Sequence, residues 1–287
     1  MKVIDIINSG KRTLSFEVFP PKSSDKFEIV KDATEKVASL NPDYMSVTFG
    51  AGGNGSKFTL PIAKNIEKKY GVPVIHHLTC VGSTNENIIE RLNIMKKAGI
   101  ENVLALRGDI PEGSSSDEWA FKHANELTAF IKKQGDYCVG GACYPECHPE
   151  STSLKDDILY LRLKIESGCE YLTTQLFLDN SVFYNFLDHI SIAGINAPVT
   201  AGIMVITSVN QFNRIVTLSG SAVPAQLARQ AARFADDPVS MREAGIDYAV
   251  GQIRGLYESG IKNVHLYTMN SAYVASCVKD ALKEYLK

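Results

Sequence analysis

A carboxyl set in an apolar strand is a candidate proton donor. Glu17 stands in the run Ser15-Phe16-Glu17-Val18-Phe19-Pro20-Pro21-Lys22. Burial there makes ionisation costly and should lift its pKa above the ordinary value of about 4.3. A carboxyl kept protonated near neutrality can act as a general acid. The alternative is a structural Glu paired with an interior Arg or Lys. Ala105-Leu106-Arg107-Gly108-Asp109 sets a permanent cation beside a carboxylate. Such an Arg can serve a ligand or pair with Glu or Asp. Asp109 can likewise cap a helix starting near Pro111. His76 and His77 are neighbours on one strand, so only one of them can face inward. Asp157, Leu161 and Lys164 fall at i, i+4 and i+7, hence on one helical face, which could equally be a solvated charged one. Gln175 offers both an amide donor and an acceptor, for a ligand or for an interior partner.

Other chemistries fit less well. Cys143, Cys147 and His148 form C-x-x-x-C-H, but no second cysteine pair has a convincing spacing, so a metal is not expected. A Schiff-base aldolase needs a Lys at an inward strand end, and none is placed there. No G-x-G-x-x-G follows the first strand, which removes the main reason to expect a Rossmann site.

These residues need a frame that gathers them. Short β-branched runs recur about every thirty residues, each followed by a helical stretch. The runs are Leu14–Phe19, Tyr44–Thr48, Val72–Thr79, Val103–Leu106, Tyr137–Ala142, Tyr171–Gln175, Val199–Ile206 and Val264–Tyr267. Eight βα units predict an α/β fold, a (β/α)₈ TIM-type barrel, with its site at the C-terminal strand ends. Those ends carry Glu17, Thr48, His77 with Thr79, Arg107 to Asp109, Tyr144 with Glu146 and His148, Gln175 and Tyr267. The Gly- and Ser-rich stretches Gly50–Lys57 and Pro111–Asp117 follow strands and read as active-face loops. Ser83 or Thr84 can cap a helix carrying Ile88, Ile89, Leu92 and Met95, with Gly99 as its stop. Ser208–Ser259 should hold two or three extra helices, broken near Gly220 and at Asp237-Pro238.

The bulk numbers agree with this frame. The 287 residues carry 45% hydrophobic and 22% charged side chains, an ordinary globular balance for one barrel domain over 1–287. A net charge of −2 gives no reason to bind nucleic acid or an anionic membrane. No apolar run reaches a membrane span, and the start lacks a signal-peptide core, so a cytoplasmic protein with reduced thiols is expected.

In this order, SFEVFPPK, SVTFGAGG, HHLTC, ALRGD, CYPECHPE and TTQLFLD make the chain resemble the methylenetetrahydrofolate reductase family from about Leu14 to Asn270. It looks like the short, catalytic-only form. The resemblance implies a flavin-containing barrel that reduces 5,10-methylenetetrahydrofolate to 5-methyltetrahydrofolate. FAD is expected rather than FMN, with NADH or NADPH as electron donor and a homo-oligomeric assembly. It assigns Glu17 as the acid that opens the imidazolidine ring, with Asp109 beside both pterin and flavin and Gln175 on the pterin edge. Thr48, His77, Arg107, Gly108, Asp109, Tyr144 and His148 match flavin positions. Asp157 and Lys164 match contacts to the ribose and pyrophosphate of FAD.

The sequence departs from the family pattern on one side. Ala201-Gly202-Ile203-Met204 lacks the prolines that flank this core in well-known bacterial members, Val209 stands near an expected aromatic, and Ser271 replaces a common Arg. These positions concern the face where donor and folate would stack. The alternative reading is therefore a flavin- and folate-binding subunit that needs an electron-delivery partner.

Overall fold

Strands and helices alternate around a closed ring in the computed structural model, which describes residues 1–49, 56–110, 119–219 and 222–287. The strands are β1 (Thr13–Val18), β2 (Met45–Val47), β3 (Val74–Thr79), β4 (Asn102–Leu106), β5 (Cys138–Cys143), β6 (Tyr171–Thr174), β7 (Val199–Met204) and β8 (Asn263–Tyr267). They pair in parallel and in chain order, and β8 closes on β1 with Glu17 opposite Tyr267. The helices are α1 (Val3–Ile7), α2 (Phe27–Ala38), α3 (Ser56–Tyr70), α4 (Asn85–Ala98), α5 (Ala124–Gln134), α6 (Leu154–Glu166), α7 (Asn180–Ile192), α8 (Val209–Ser219), α9 (Ala225–Arg233), α10 (Pro238–Glu258) and α11 (Ala272–Ala281). The (β/α)₈ expectation is met.

Period two sorts the strand residues. Leu14, Phe16, Val18, Met45, Val47, Val103, Val264 and Leu266 point outward into the main core beneath the helices. The alternate positions Glu17, Ser46, His77, His265 and Tyr267 point inward, so the barrel's upper interior is polar. Its lower end is apolar and plugged by α1, whose Val3 and Ile7 pack on Tyr44, Ile75, Leu104, Cys138 and Tyr171. Asn102 Oδ1 accepts from Val3 N at 2.7 Å and Asn263 Nδ2 donates to Ile7 O at 3.3 Å, which pins the plug at both ends. The strand–helix alternation does not anticipate α1.

Local chemistry sets the boundaries. The third strand starts at Val74, two residues later than its apolar run, because Pro73 has no N–H for the ladder. Its carbonyl still accepts from Met45 N at 2.9 Å. The seventh ends at Met204, where Gln211 Nε2 takes the Val205 carbonyl at 3.2 Å. Thr84 is the cap of α4, accepting from Asn87 N, and Gly99 ends that helix at φ +83°. Three helices, α8 to α10, separate β7 from β8, and Asp237 caps the third with Pro238 in its first turn. The break near Gly220 and most of the two Gly- and Ser-rich stretches lie outside the described residues. Among the described residues, no helix is long and apolar enough to cross a membrane.

Candidate active site

The C-terminal ends of the strands surround a cavity of about 480 Å³. Glu17, Thr48, His77, Arg107, Gly108 and Asp109 line it from β1 to β4, and Tyr144, His148, Lys164 and Gln175 from β5 and β6. Asp157 does not line it. Its carboxylate accepts from His148 N at 3.2 Å and Ser151 Oγ at 3.0 Å, so in this structure it holds the loop after β5.

Glu17 is the centre of the polar interior. Its backbone is fixed by Thr268 Oγ1, which donates to Glu17 O at 2.6 Å. Asn270 clamps Phe19, two residues on, exchanging hydrogen bonds of 2.9 Å with both Phe19 N and Phe19 O. The side chain is 21% exposed, toward the cavity. Ser46 Oγ donates to Oε2 at 3.2 Å, while His77 Nε2 stands 3.7 Å and His265 Nε2 3.9 Å from the same oxygen. Burial pushes the carboxyl pKa up, as expected from the sequence, but His265, His77 and Ser46 together outweigh it and hold the group below its ordinary value. The expected upward shift is therefore corrected: the neighbours hold the Glu17 carboxyl on the ionised side. Burial pushes His77 itself down to about 4, so at neutral pH it is uncharged. The anion's support then comes from the Ser46–His265 side.

The adjacent histidines separate as the pleat requires. His77 faces the cavity, and its Nε2 is buried without a hydrogen-bond partner. His76 faces outward, edge-on to Phe49 at 6.5 Å, and burial pushes its pKa down to about 3. Arg91 covers the Phe49 ring at 4.6 Å, so Phe49 is held at the cavity wall beside Thr48. Arg107 makes a two-pronged pair with Glu150, one contact at 2.7 Å, which raises the Arg pKa further. The pairing alternative for Arg107 thus describes the contact seen here. Gly108 has φ +85°, which strains any side chain, and a Cβ there would also crowd Thr79 Cβ at 3.1 Å.

Two glycines shape the far wall. On β5, a Cβ at inward-facing Gly140 would lie 2.2 Å from Tyr171 Cζ, and one at outward-facing Gly141 would lie 2.5 Å from Lys164 Cδ. The missing side chains let Tyr171 fill the barrel floor and let the Lys164 stem cross the strand. Lys164 Nζ then donates to Ala142 O at 2.5 Å at the cavity edge. Tyr144 and His148 meet edge to face at 4.5 Å. Gln175 is exposed to the cavity, with its Oε1 accepting from Leu176 N at 2.9 Å. Cys143 points the other way, into an apolar cluster with Leu161, Cys169 and Leu172. Among the described residues, no group of three His, Cys, Asp or Glu side chains is placed to hold a metal ion.

Ser15, Ser46 and His265 are the site residues that motif reading passes over. Their signal is polar alternation: Ser15 and Glu17 on β1, Tyr44, Ser46 and Thr48 along β2, and Asn263, His265 and Tyr267 on β8 each share one face.

The profile of the methylenetetrahydrofolate reductase family matches residues 2–283. The chain belongs to the methylenetetrahydrofolate reductase family. It is therefore an oxidoreductase-family barrel of one-carbon folate metabolism. It is 31% identical to 5,10-methylenetetrahydrofolate reductase of Pectobacterium carotovorum, over 94% of this chain and 89% of the relative. Identity to 5,10-methylenetetrahydrofolate reductase of Escherichia coli K12 is 30%, covering 94% and 90%. Against methylenetetrahydrofolate reductase (NADH) 1 of Arabidopsis thaliana it is 34%, but the chain spans only 49% of that protein. Among solved structures, an uncharacterised Clostridium thermocellum protein described as binding two copies of 5-methyl-5,6,7,8-tetrahydrofolic acid has the same fold (TM-score 0.68, 17% identity, 99% of both chains covered).

Proposed function

We propose that the chain, acting as one catalytic barrel, reduces 5,10-methylenetetrahydrofolate to 5-methyltetrahydrofolate with bound FAD, and that Glu17 supplies the proton. The carrying observation is the Glu17 carboxyl in the barrel mouth, accepting from Ser46 and flanked by two histidines. Family membership and the folate-binding neighbour of the same architecture support the substrate class.

The residues present fit a flavin. The cavity has about 480 Å³ of space, an unpartnered buried nitrogen on His77, and the bare Gly108 backbone on one wall. His77, Thr48, Gly108, Tyr144 and His148 would hold the ring system, and Arg107 and Lys164, with the loop that Asp157 braces, the ribose and phosphates. When bound, the flavin supplies the hydride. Gln175 orients the pterin edge through its amide. Asp109 places a carboxylate where positive charge develops on the folate as the imidazolidine ring opens to an iminium. Glu17 protonates the ring nitrogen in that step, then remains as an anion beside the cation. Ligand over the mouth adds to burial, already the strongest influence on Glu17, and moves the carboxyl toward its protonated form.

The test is a visible spectrum of the purified protein, then anaerobic addition of NADH and of methylenetetrahydrofolate. Flavin bands that bleach with NADH and return with the folate support the proposal. Bands that ignore NADH but respond to the folate couple point to a partner that delivers electrons. A protein without flavin even after reconstitution overturns it.

A further inference from the structure

Glu17 ends a hydrogen-bonded chain that runs down into the barrel. Ser46 Oγ lies 3.2 Å from Glu17 Oε2 and 3.0 Å from His265 Nε2, and His265 Nδ1 lies 2.7 Å from Ser15 Oγ. Ser15 Oγ donates in turn to the Val264 carbonyl at 3.1 Å. A hydroxyl has one proton to give. When that of Ser15 goes to Val264, the Nδ1 of His265 carries a proton and donates it to Ser15.

Ser46 has one proton for two neighbours. If it donates to a Glu17 carboxylate, it must accept from His265 Nε2–H, and the ring is an imidazolium. If it donates to Nε2, the ring is neutral, and Glu17 must itself be protonated to keep its bond to Ser46. The two arrangements hold the same number of protons. They interconvert when one proton moves from Nε2 to Ser46 Oγ and another from Ser46 Oγ to Glu17 Oε2.

We propose that Ser46 and His265 are a proton relay, storing on the buried imidazole the proton that Glu17 delivers to the folate nitrogen. This rests on Glu17 as the proton donor of the reading above. It explains how a carboxyl held on the ionised side by its neighbours can act as an acid without a new proton crossing the bound ligands. After delivery, the Glu17 carboxylate and the neutral imidazole both need the single Ser46 proton. That shortage is relieved by a proton from water at the mouth, where Glu17 is 21% exposed. The other titratable groups facing the relay are His77 from β3, Tyr44 just before β2, stacked on His265 at 6.0 Å, and Tyr267 on β8, edge-on at 5.5 Å.

The experiment combines nuclear magnetic resonance with kinetics on the full chain. Histidine-selective ¹⁵N labelling gives six histidines to resolve, and comparison with His265→Gln assigns the one needed. We expect wild-type His265 to carry protons on both Nδ1 and Nε2, and Glu17→Gln to remove the one on Nε2. A neutral ring protonated on Nε2 in the wild type overturns the relay. In mixed H₂O and D₂O the folate half-reaction should show two protons in flight, as a curved rate dependence on deuterium fraction. Ser46→Ala should slow that half-reaction on the order of 10²-fold and make the dependence linear, while Ser46→Thr should restore the curve. If Glu17→Gln still reduces the folate, the acid assignment fails and the relay with it. If Glu17→Gln is inactive but Ser46→Ala keeps the wild-type rate and curve, the relay alone fails.

Discussion

Gly202 is where the barrel has no slack. It faces inward on β7, and a Cβ there would lie 2.3 Å from the Thr174 carbonyl oxygen and 2.6 Å from the Tyr267 hydroxyl. A carbon and a carbonyl oxygen approach to about 3.3 Å at closest, so Gly202→Ala must move the neighbouring strand or β7 by about 1 Å. Strand backbone cannot swing aside as a side-chain tip can. The change also wedges apart the 2.5 Å bond from Tyr267 Oη to Thr174 O. Overpacking costs about 1–3 kcal/mol and the lost hydrogen bond about 1 kcal/mol, so the variant should lose about 2–4 kcal/mol. With roughly 2.1 cal/mol/K of unfolding entropy per residue, the 287-residue chain should melt about 3–7 °C lower. Differential scanning calorimetry reads this directly. Tyr267 lines the cavity, so ligand retention should fall in the same variant. The control is Gly251→Ala in α10, where nothing lies within 4 Å of the new methyl. Removing a helical glycine there should stabilise by about 1 kcal/mol. A Gly202→Ala protein that melts within about 1 °C of the wild type refutes the close-packed account of β7.

Three further outcomes follow from the same geometry. Glu67 Oε2 is buried without a partner, and burial pushes the carboxyl up to about 7, with Glu101 adding and the N-terminal amine opposing. The folded state then keeps a proton that the unfolded chain releases near 4.5, so stability falls as pH rises from about 4.5 to about 7. Glu67→Gln should melt a few degrees above the wild type at pH 8 and no higher at pH 5; equal gains at both values would contradict the assignment. Glu150 is 61% exposed, so its pair with Arg107 adds only about 0.2–1 kcal/mol to stability, but it competes for the cation proposed to face the flavin. Glu150→Gln should barely change the melting temperature and tighten FAD binding severalfold in a fluorescence titration of the apoprotein. Weaker binding would mean that Glu150 positions Arg107 instead. Finally, the Tyr171 hydroxyl is fully buried with no partner, so Tyr171→Phe should be neutral or stabilising by about 1 kcal/mol in urea unfolding. A loss of more than about 1 kcal/mol would reveal a bond to that hydroxyl.

Order, period and motif were open to reading without coordinates, because they are local. Each strand's apolar run is set by neighbours one or two residues away, and its C-terminal end follows from chain direction. That is enough to close a barrel in the mind and to put Glu17, Asp109 and Gln175 on one face. The pleat alone says that His76 and His77 part company. Sequence did not decide which charge Glu17 carries. Ser46 comes from β2 and His265 from β8, 219 residues apart, and only closure of the ring brings them to one carboxylate. Burial, which sequence does indicate, pushes the group one way; the partners, which it does not, push it back further. The same holds for Arg107, engaged by Glu150 across a loop, and for Asp157, used up by the His148 turn rather than aimed at the cavity. A charged group's state depends on what lies within a few ångströms, and for Glu17 ring closure brings those neighbours from opposite ends of the chain.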